Sequence, residues 1–232
     1  MDSGNFWFDE QGADLPYVVC LPGWGYDWRI MSWCRAEVNR IYIRNAFKPG
    51  LLSQLADWLK RSKFGPVVML GWSLGGFAAV DFARAYPELV ASLVLVGIRR
   101  RYSPEEVQLT KDGIACDRAF YLEGFYRQSF LPAQRQDWAA FRADLLEEYL
   151  NVMSIEELIP GLDYLGSSCI DEASLSIRPT LMVHGARDII ALPDEAYELA
   201  RISDTPFYML QDAAHAAFLH SDFQEIIRQW LK

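Results

Sequence analysis

No run of about eighteen apolar residues occurs in the 232-residue chain, so the sequence offers no candidate for a membrane-crossing helix. The opening residues, Met1 to Asn5, have neither a basic region nor an apolar core, and no secretory leader is expected from them. Cysteine is sparse: Cys20, Cys34, Cys116 and Cys169 are scattered, with no C-x-x-C and no histidine at metal spacing. Reduced thiols in a cytoplasmic protein are therefore expected, with neither a zinc site nor a disulfide framework. Basic residues are in deficit, 22 against 31 acids for a formal net charge of −9, which argues against nucleic acid and anionic membrane surfaces as partners. Repeats and low-complexity tracts are also missing. With 51% apolar residues, a chain of this length can bury a full core as one domain. Histidine is scarcer still, with only His184, His215 and His220, and that scarcity narrows any acid–base chemistry to a small choice.

Against these absences stands Gly71-Trp72-Ser73-Leu74-Gly75, a G-x-S-x-G in a meaningful context. The apolar stretch Pro66 to Leu70 precedes it as a short strand, and Gly76 to Ala83 follows it as a helix. A strand, a sharp turn flanked by small residues and a helix make a nucleophile elbow, which lifts a serine hydroxyl above a sheet edge. A bare G-x-S-x-G is weak; the context makes Ser73 the candidate nucleophile.

Such a serine needs a base. His215 follows the strand-like Pro206 to Leu210 by a short loop of small residues and precedes a helix patterned by Phe223, Ile226, Ile227, Trp230 and Leu231. His220 reads as a surface or capping residue, and His184, ending the strand Thr180 to Val183, as a satisfied, partly buried histidine. The carboxylate is expected from Asp188, in the loop after that strand, where it would accept the Nδ1 proton of His215. The competing reading makes Asp188 a cap for the helix beginning near Pro193. Ser73, Asp188 and His215 then fall in the chain order of α/β-hydrolases. Two backbone amides would complete an oxyanion hole: Leu74, next to the nucleophile, and Trp24 within Pro22-Gly23-Trp24-Gly25, just after the strand Tyr17 to Leu21.

Strand candidates recur at 5–8, 17–21, 40–44, 67–70, 92–96, 180–183 and 206–210, most separated by helical patterns such as Leu51, Leu52, Leu55, Trp58 and Leu59. This rhythm predicts an α/β fold with a mostly parallel, doubly wound sheet. It breaks once, and residues 99–175 are expected to form a helical lid inserted between two late strands of a core made by 1–98 and 176–232. The lid is rich in aromatics, among them Phe120, Tyr121, Phe125, Tyr126, Phe130, Trp138, Phe141 and Tyr149. Most would pack the helices against one another. A few would line an acyl pocket, and Trp24, Leu74, Phe125 and His215 are the expected substrate contacts. Charge is uneven, for residues 99–142 carry net +2 whereas 143–175 hold eight acids and no base. The basic front is either a solvated face or a docking surface for an acidic partner that carries the substrate.

Gly23-Trp24-Gly25, Gly71-Trp72-Ser73-Leu74-Gly75-Gly76 and Ala213-Ala214-His215-Ala216-Ala217-Phe218 together resemble the pimeloyl-acyl carrier protein methyl ester esterases of the biotin pathway. The resemblance covers most of the sheet scaffold and the lid only loosely. It implies a serine esterase with a helical lid that cleaves a methyl ester from a pimeloyl chain on acyl carrier protein; the triad chemistry needs no cofactor, and a monomer is expected. It also implies lid arginines that engage the acidic carrier, mapping in kind onto Arg118, Arg127, Arg135 and Arg142. Two departures bear on substrate identity more than on catalysis: Pro22 stands where many relatives have histidine, and the loop after the third strand is shortened to Asn45-Ala46-Phe47-Lys48-Pro49-Gly50. Alternatives are a general short-chain esterase, a related hydrolase or lyase of another pathway such as menaquinone synthesis, and a ligand-binding homologue whose triad is idle.

Overall fold

A strand covered by helices on both faces has to be apolar throughout, and Val67-Val68-Met69-Leu70-Gly71-Trp72 is buried at every position. The computed structural model describes residues 5–43, 47–62 and 64–232. Its strands are β1 (Phe6–Asp9), β2 (Tyr17–Leu21), β3 (Asn39–Ile43), β4 (Val67–Trp72), β5 (Val90–Val96), β6 (Thr180–Gly185) and β7 (Phe207–Leu210). They form one sheet in the order β1-β3-β2-β4-β5-β6-β7, in which β1 runs antiparallel to β3 and every other neighbour is parallel. The fold is thus α/β with a mostly parallel sheet. β4 runs two residues beyond the expected Leu70, because Gly71 and Trp72 still pair with Leu95 and Val96 of β5. Of the stretch expected as the third strand, Arg44 lies outside the described residues, as do Asn45 and Ala46 of the shortened loop.

The helices are α1 (Trp28–Met31), α2 (Leu51–Ser62), α3 (Leu74–Ala85), α4 (Pro104–Phe130), α5 (Arg135–Asp144), α6 (Leu146–Val152), α7 (Ile155–Ser167), α8 (Glu172–Leu175), α9 (Pro193–Ile202) and α10 (Ser221–Trp230). α2 buries Leu51, Leu55, Ala56, Trp58 and Leu59, the stripe that its sequence periodicity sets out. α10 is capped by His220, whose ring accepts from the Asp222 amide at 3.2 Å and so satisfies one of the first-turn donors. α4 through α8 all lie between β5 and β6. α4 opens on a capping box made by Ser103 and Glu106, with Pro104 in the first turn. It breaks at Asp117, where φ −152° and ψ 95° leave helical space. Because β2, β4, β6 and β7 run parallel, the segments that follow them emerge at one edge of the sheet. Trp24, Ser73, Asp188 and His215 all sit on those segments.

Candidate active site

Ser73 sits between the end of β4 and the start of α3 with φ 53° and ψ −118°. A non-glycine residue with positive φ is strained by about 1–3 kcal/mol and persists only where its surroundings enforce it. Those surroundings are backbone: the Ser73 amide donates to Val96 O at 2.9 Å, and Gly76 N donates to Ser73 O at 2.8 Å. A Cβ on Gly75 would lie 2.1 Å from Leu21 O, and one on Gly71 would lie 2.4 Å from Gly75 O. Both small residues are therefore steric requirements of the turn.

His215 is fully buried, and its Nδ1 lies 2.7 Å from Asp188 Oδ2. A carboxylate only accepts, so Nδ1 carries the proton and Nε2 keeps its lone pair. Nε2 has no hydrogen-bond partner among the described residues. Trp72, the residue before Ser73, brings the two loops together: its Nε1 donates to His215 O at 2.8 Å, and the rings are 5.5 Å apart. Gly97, at φ +57°, lies against the imidazole, where a Cβ would stand 3.1 Å from Nδ1. No hydrogen bond joins Ser73 to His215 among the described residues. Catalytic hydrogen bonds are often long before substrate binds and tighten only in the complex.

Asp188 is itself almost fully enclosed. Its Oδ1 accepts from the Ile190 and Ala191 amides, both at 2.9 Å, and Oδ2 faces His184 Nε2 at 3.2 Å in addition to His215. Burial alone would raise this carboxyl, but attraction to the His215 ring in its protonated form and the two histidine hydrogen bonds hold it well below the ordinary aspartate range. His184 Nε2 is also 2.7 Å from Ala191 O, which can only accept, so that nitrogen is the protonated one. His184 therefore braces the carboxylate that faces His215. Asp188 caps its own loop rather than α9, whose N-cap residue, Leu192, makes no side-chain cap bond.

Past β2, Tyr26 N closes a turn onto Gly23 O at 3.2 Å, with Gly25 at φ +74°. Within it the Trp24 amide has no hydrogen-bond acceptor among the described residues. Leu74 is the first residue of α3, where amides lack an intrahelical acceptor and the helix dipole is positive. The Trp24 indole donates to Leu158 O of α7 at 2.9 Å and packs edge-on to Phe125 at 5.0 Å.

A cavity of about 270 Å³ opens over Ser73, lined mainly by Trp24, Tyr102, Val107, Tyr121, Phe125 and Leu162, with Arg99 and Glu106 on its wall. Of the expected substrate contacts, Trp24 and Phe125 face this cavity. The Leu74 side chain instead lines a separate small void of about 20 Å³ with Trp24 and Gly161, and His215 is covered. Tyr102 has no signature in the sequence. Burial pushes its phenol up to about 12, a rise that the nearby Ser73 hydroxyl offsets in part. Gln134 is equally silent in sequence, yet its buried amide spans the backbone on either side of His215.

The four arginines separate. Arg118 Nη1 donates to Leu150 O and Met153 O, each at 2.7 Å, and so braces α6 within the insertion. The exposed Arg127, Arg135 and Arg142 make no side-chain hydrogen bond or ion pair among the described residues. Arg127 and Arg135 line an open groove with Trp138 and the exposed Ile189. Of the other basic residues of the front, Arg99 pairs with Glu106 and Glu195, Arg100 with Glu172, and Lys111 with Asp163, whereas the exposed Arg101 makes no ion pair among the described residues.

This sheet, with a serine elbow at its carboxyl edge, defines a hydrolase class, and residues 50–222 match the family model described as the alpha/beta hydrolase fold. The chain belongs to that family. It is similar to the pimeloyl-[acyl-carrier protein] methyl ester esterase of Chromobacterium violaceum, 28% identical with 95% of each chain covered. It is likewise similar to the enzyme of that name from Citrobacter koseri, 25% identical with 93% of each covered. Among solved structures, a bromoperoxidase from Bacillus anthracis superposes with a TM-score of 0.81 at 19% identity, over 97% of this chain and 95% of that one. That likeness shows the fold alone. No helix among the described residues is long and apolar enough to cross a membrane.

Proposed function

We propose that the protein is a serine carboxylesterase that hydrolyses the methyl ester of a pimeloyl chain held on acyl carrier protein. The observation that carries the hydrolytic part is a buried imidazole whose Nδ1 is bound to Asp188 and whose Nε2 is left free, on a loop fastened to Trp72, the residue before a Ser73 held at positive φ. Ser73 Oγ attacks the ester carbonyl while His215 Nε2 takes its proton. The Trp24 and Leu74 amides receive the oxyanion, each worth about 3 kcal/mol where such donors have been removed. His215 then gives its proton to the departing methanol, and water, activated by the same nitrogen, releases the acid. No cofactor enters this scheme. Asp188 holds the tautomer and stabilises the imidazolium.

Support for the substrate comes from the names of the relatives and from the chemistry of the helices over the site. Residues 99–175 act as the lid, the aromatic cavity takes the acyl chain, and Arg127, Arg135 and Arg142 face an acidic carrier. The deciding experiment compares hydrolysis of methyl pimeloyl-carrier protein with that of free methyl esters, by wild type and Ser73→Ala. Activity on carrier-bound ester that Ser73→Ala abolishes upholds the reading. Equal or greater activity on free esters would reassign the enzyme to general short-chain ester hydrolysis.

A further inference from the structure

Gln134 stands at the N-cap of α5, a position where a short polar side chain normally binds the first-turn amides of its own helix. It makes no such bond. Its side chain turns instead to the loop that carries His215. Oε1 accepts from Ala214 N at 2.9 Å, and Nε2 donates to Ala216 O at 3.1 Å and to Asp137 Oδ2 at 2.9 Å. The amide orientation is forced, because a peptide N–H only donates and a carbonyl only accepts. With 6% of its surface exposed, Gln134 has both N–H donors and its oxygen engaged, so the desolvation of a buried amide is compensated.

The clamp has a second point. Ala216 N donates to Ser129 O at 2.9 Å, near the end of α4. The segment 214–216 is thus held by the insertion at Ala214 N, Ala216 N and Ala216 O, and by Trp72 at His215 O. The insertion lies some eighty residues away in sequence, yet supplies three of these four bonds. On the sheet side, a Cβ at Gly97 would crowd the ring, which leaves little room for the imidazole to re-aim.

We propose that Gln134 is a positioning residue for His215: it fixes the peptides on either side of the base, so that the helical insertion sets the direction of Nε2. The proposal rests on the reading of Ser73 and His215 as nucleophile and base, and not on the identity of the ester. Misplacement by about 1 Å can cost a hundredfold in rate, and a clamp of this kind acts on aim rather than on substrate affinity.

The test substitutes Gln134→Met, which keeps length and apolar volume and removes all three hydrogen bonds. The readouts are the rate of Ser73 phosphonylation by an alkyl fluorophosphonate, kcat and KM on p-nitrophenyl butyrate, and the thermal midpoint. The expected result is a folded protein in which phosphonylation and kcat fall by roughly tenfold to a hundredfold with KM nearly unchanged. The downfield proton resonance of the His215–Asp188 hydrogen bond is expected to shift or broaden. A role in stability alone would lower the midpoint and leave the rate per folded molecule intact. Should Gln134→Met not fold, Asp137→Ala, which only unbraces Nε2, is expected to slow phosphonylation by about threefold, an effect of the size of one weak hydrogen bond. A folded Gln134→Met, or failing that an Asp137→Ala, that reacts at the wild-type rate overturns the clamp and leaves the serine reading standing. Wild type that resists the reagent takes down the serine reading, and the clamp with it.

Discussion

The sheet and the helical insertion meet the site through different kinds of contact. On the sheet side backbone touches backbone: Gly75 lies against Leu21 O, Gly71 against Gly75 O, and Gly185 against the Ala213 and Ala214 carbonyls, each too close for a Cβ. On the insertion side single hydrogen bonds cross long sequence distances: the Trp24 indole to Leu158 O, the Tyr126 hydroxyl to Gly25 O at 2.8 Å, the Tyr149 hydroxyl to Asp27 Oδ1 at 2.9 Å, and Gln134 to the base loop. The first kind cannot be varied without moving strands. The second can be exchanged one bond at a time, which lets an insertion change while the elbow under it stays the same.

If the chemistry belongs to the sheet edge, its loss is expected to dwarf every other change. Ser73→Ala and His215→Ala are each expected to lower kcat for ester hydrolysis by about 10⁴-fold or more, with similar losses because the two act as a unit. Steady-state kinetics beside thermal melting decide this, and His215→Ala retaining about a tenth of the wild-type rate would place the base elsewhere. Asp188→Asn is expected to cost about 10⁴-fold through the wrong histidine tautomer while leaving the fold in place. It also has a signature in acid. The folded Asp188 carboxyl is depressed, so the stability it contributes is complete above its unfolded value of about 3.9 and is lost as pH falls towards the lower folded value. Acid unfolding of Asp188→Asn, followed by tryptophan fluorescence, is expected to be shallower below about pH 4 than that of wild type.

The two kinds of contact also explain what could be read beforehand. Glycine in a close backbone approach leaves a local mark, so Gly71-Trp72-Ser73-Leu74-Gly75 announced its turn, and small residues around His215 announced a loop that has to pack against Gly185 and Gly97. The strands followed from apolar runs. His184 read as a satisfied histidine, but that it faces Asp188 depends on a loop that folds back through Ala191. Tyr102 and Gln134, which precede α4 and α5, carried no local sign, because their partners lie in other elements and nothing in the neighbouring sequence sets them apart. Stability measurements can separate the two regimes. Gly75→Ala is expected to cost about 3 kcal/mol, at the upper end for overpacking, because Leu21 O cannot withdraw without shifting β2. Tyr126→Phe, which leaves Gly25 O without its donor, is expected to cost only about 1 kcal/mol. Urea unfolding of both variants gives the comparison, and equal losses would mean that the insertion is as rigidly specified as the sheet.

The smallest expected effects belong to exposed charge, and there the insertion divides within itself. Sequence treats Arg118, Arg127, Arg135 and Arg142 alike, whereas Arg118 spends its guanidinium on the Leu150 and Met153 carbonyls and the other three have no partner among the described residues. An exposed ion pair is worth about 0.2–1 kcal/mol. Reversal of Arg127, Arg135 and Arg142 to Glu is therefore expected to raise KM for carrier-bound ester by roughly tenfold at low salt, with kcat on p-nitrophenyl butyrate unchanged. The rise is expected to shrink as ionic strength passes 0.1 M, where screening extends over about 10 Å. Arg118→Ala is expected to behave in the opposite way, lowering the thermal midpoint by leaving two carbonyls unpaired while the ratio of carrier-bound to free ester turnover stays constant. If the triple reversal slowed both substrates equally, or ignored salt, the three arginines would be solvated surface, and the acidic carrier would have to approach over another face of the insertion.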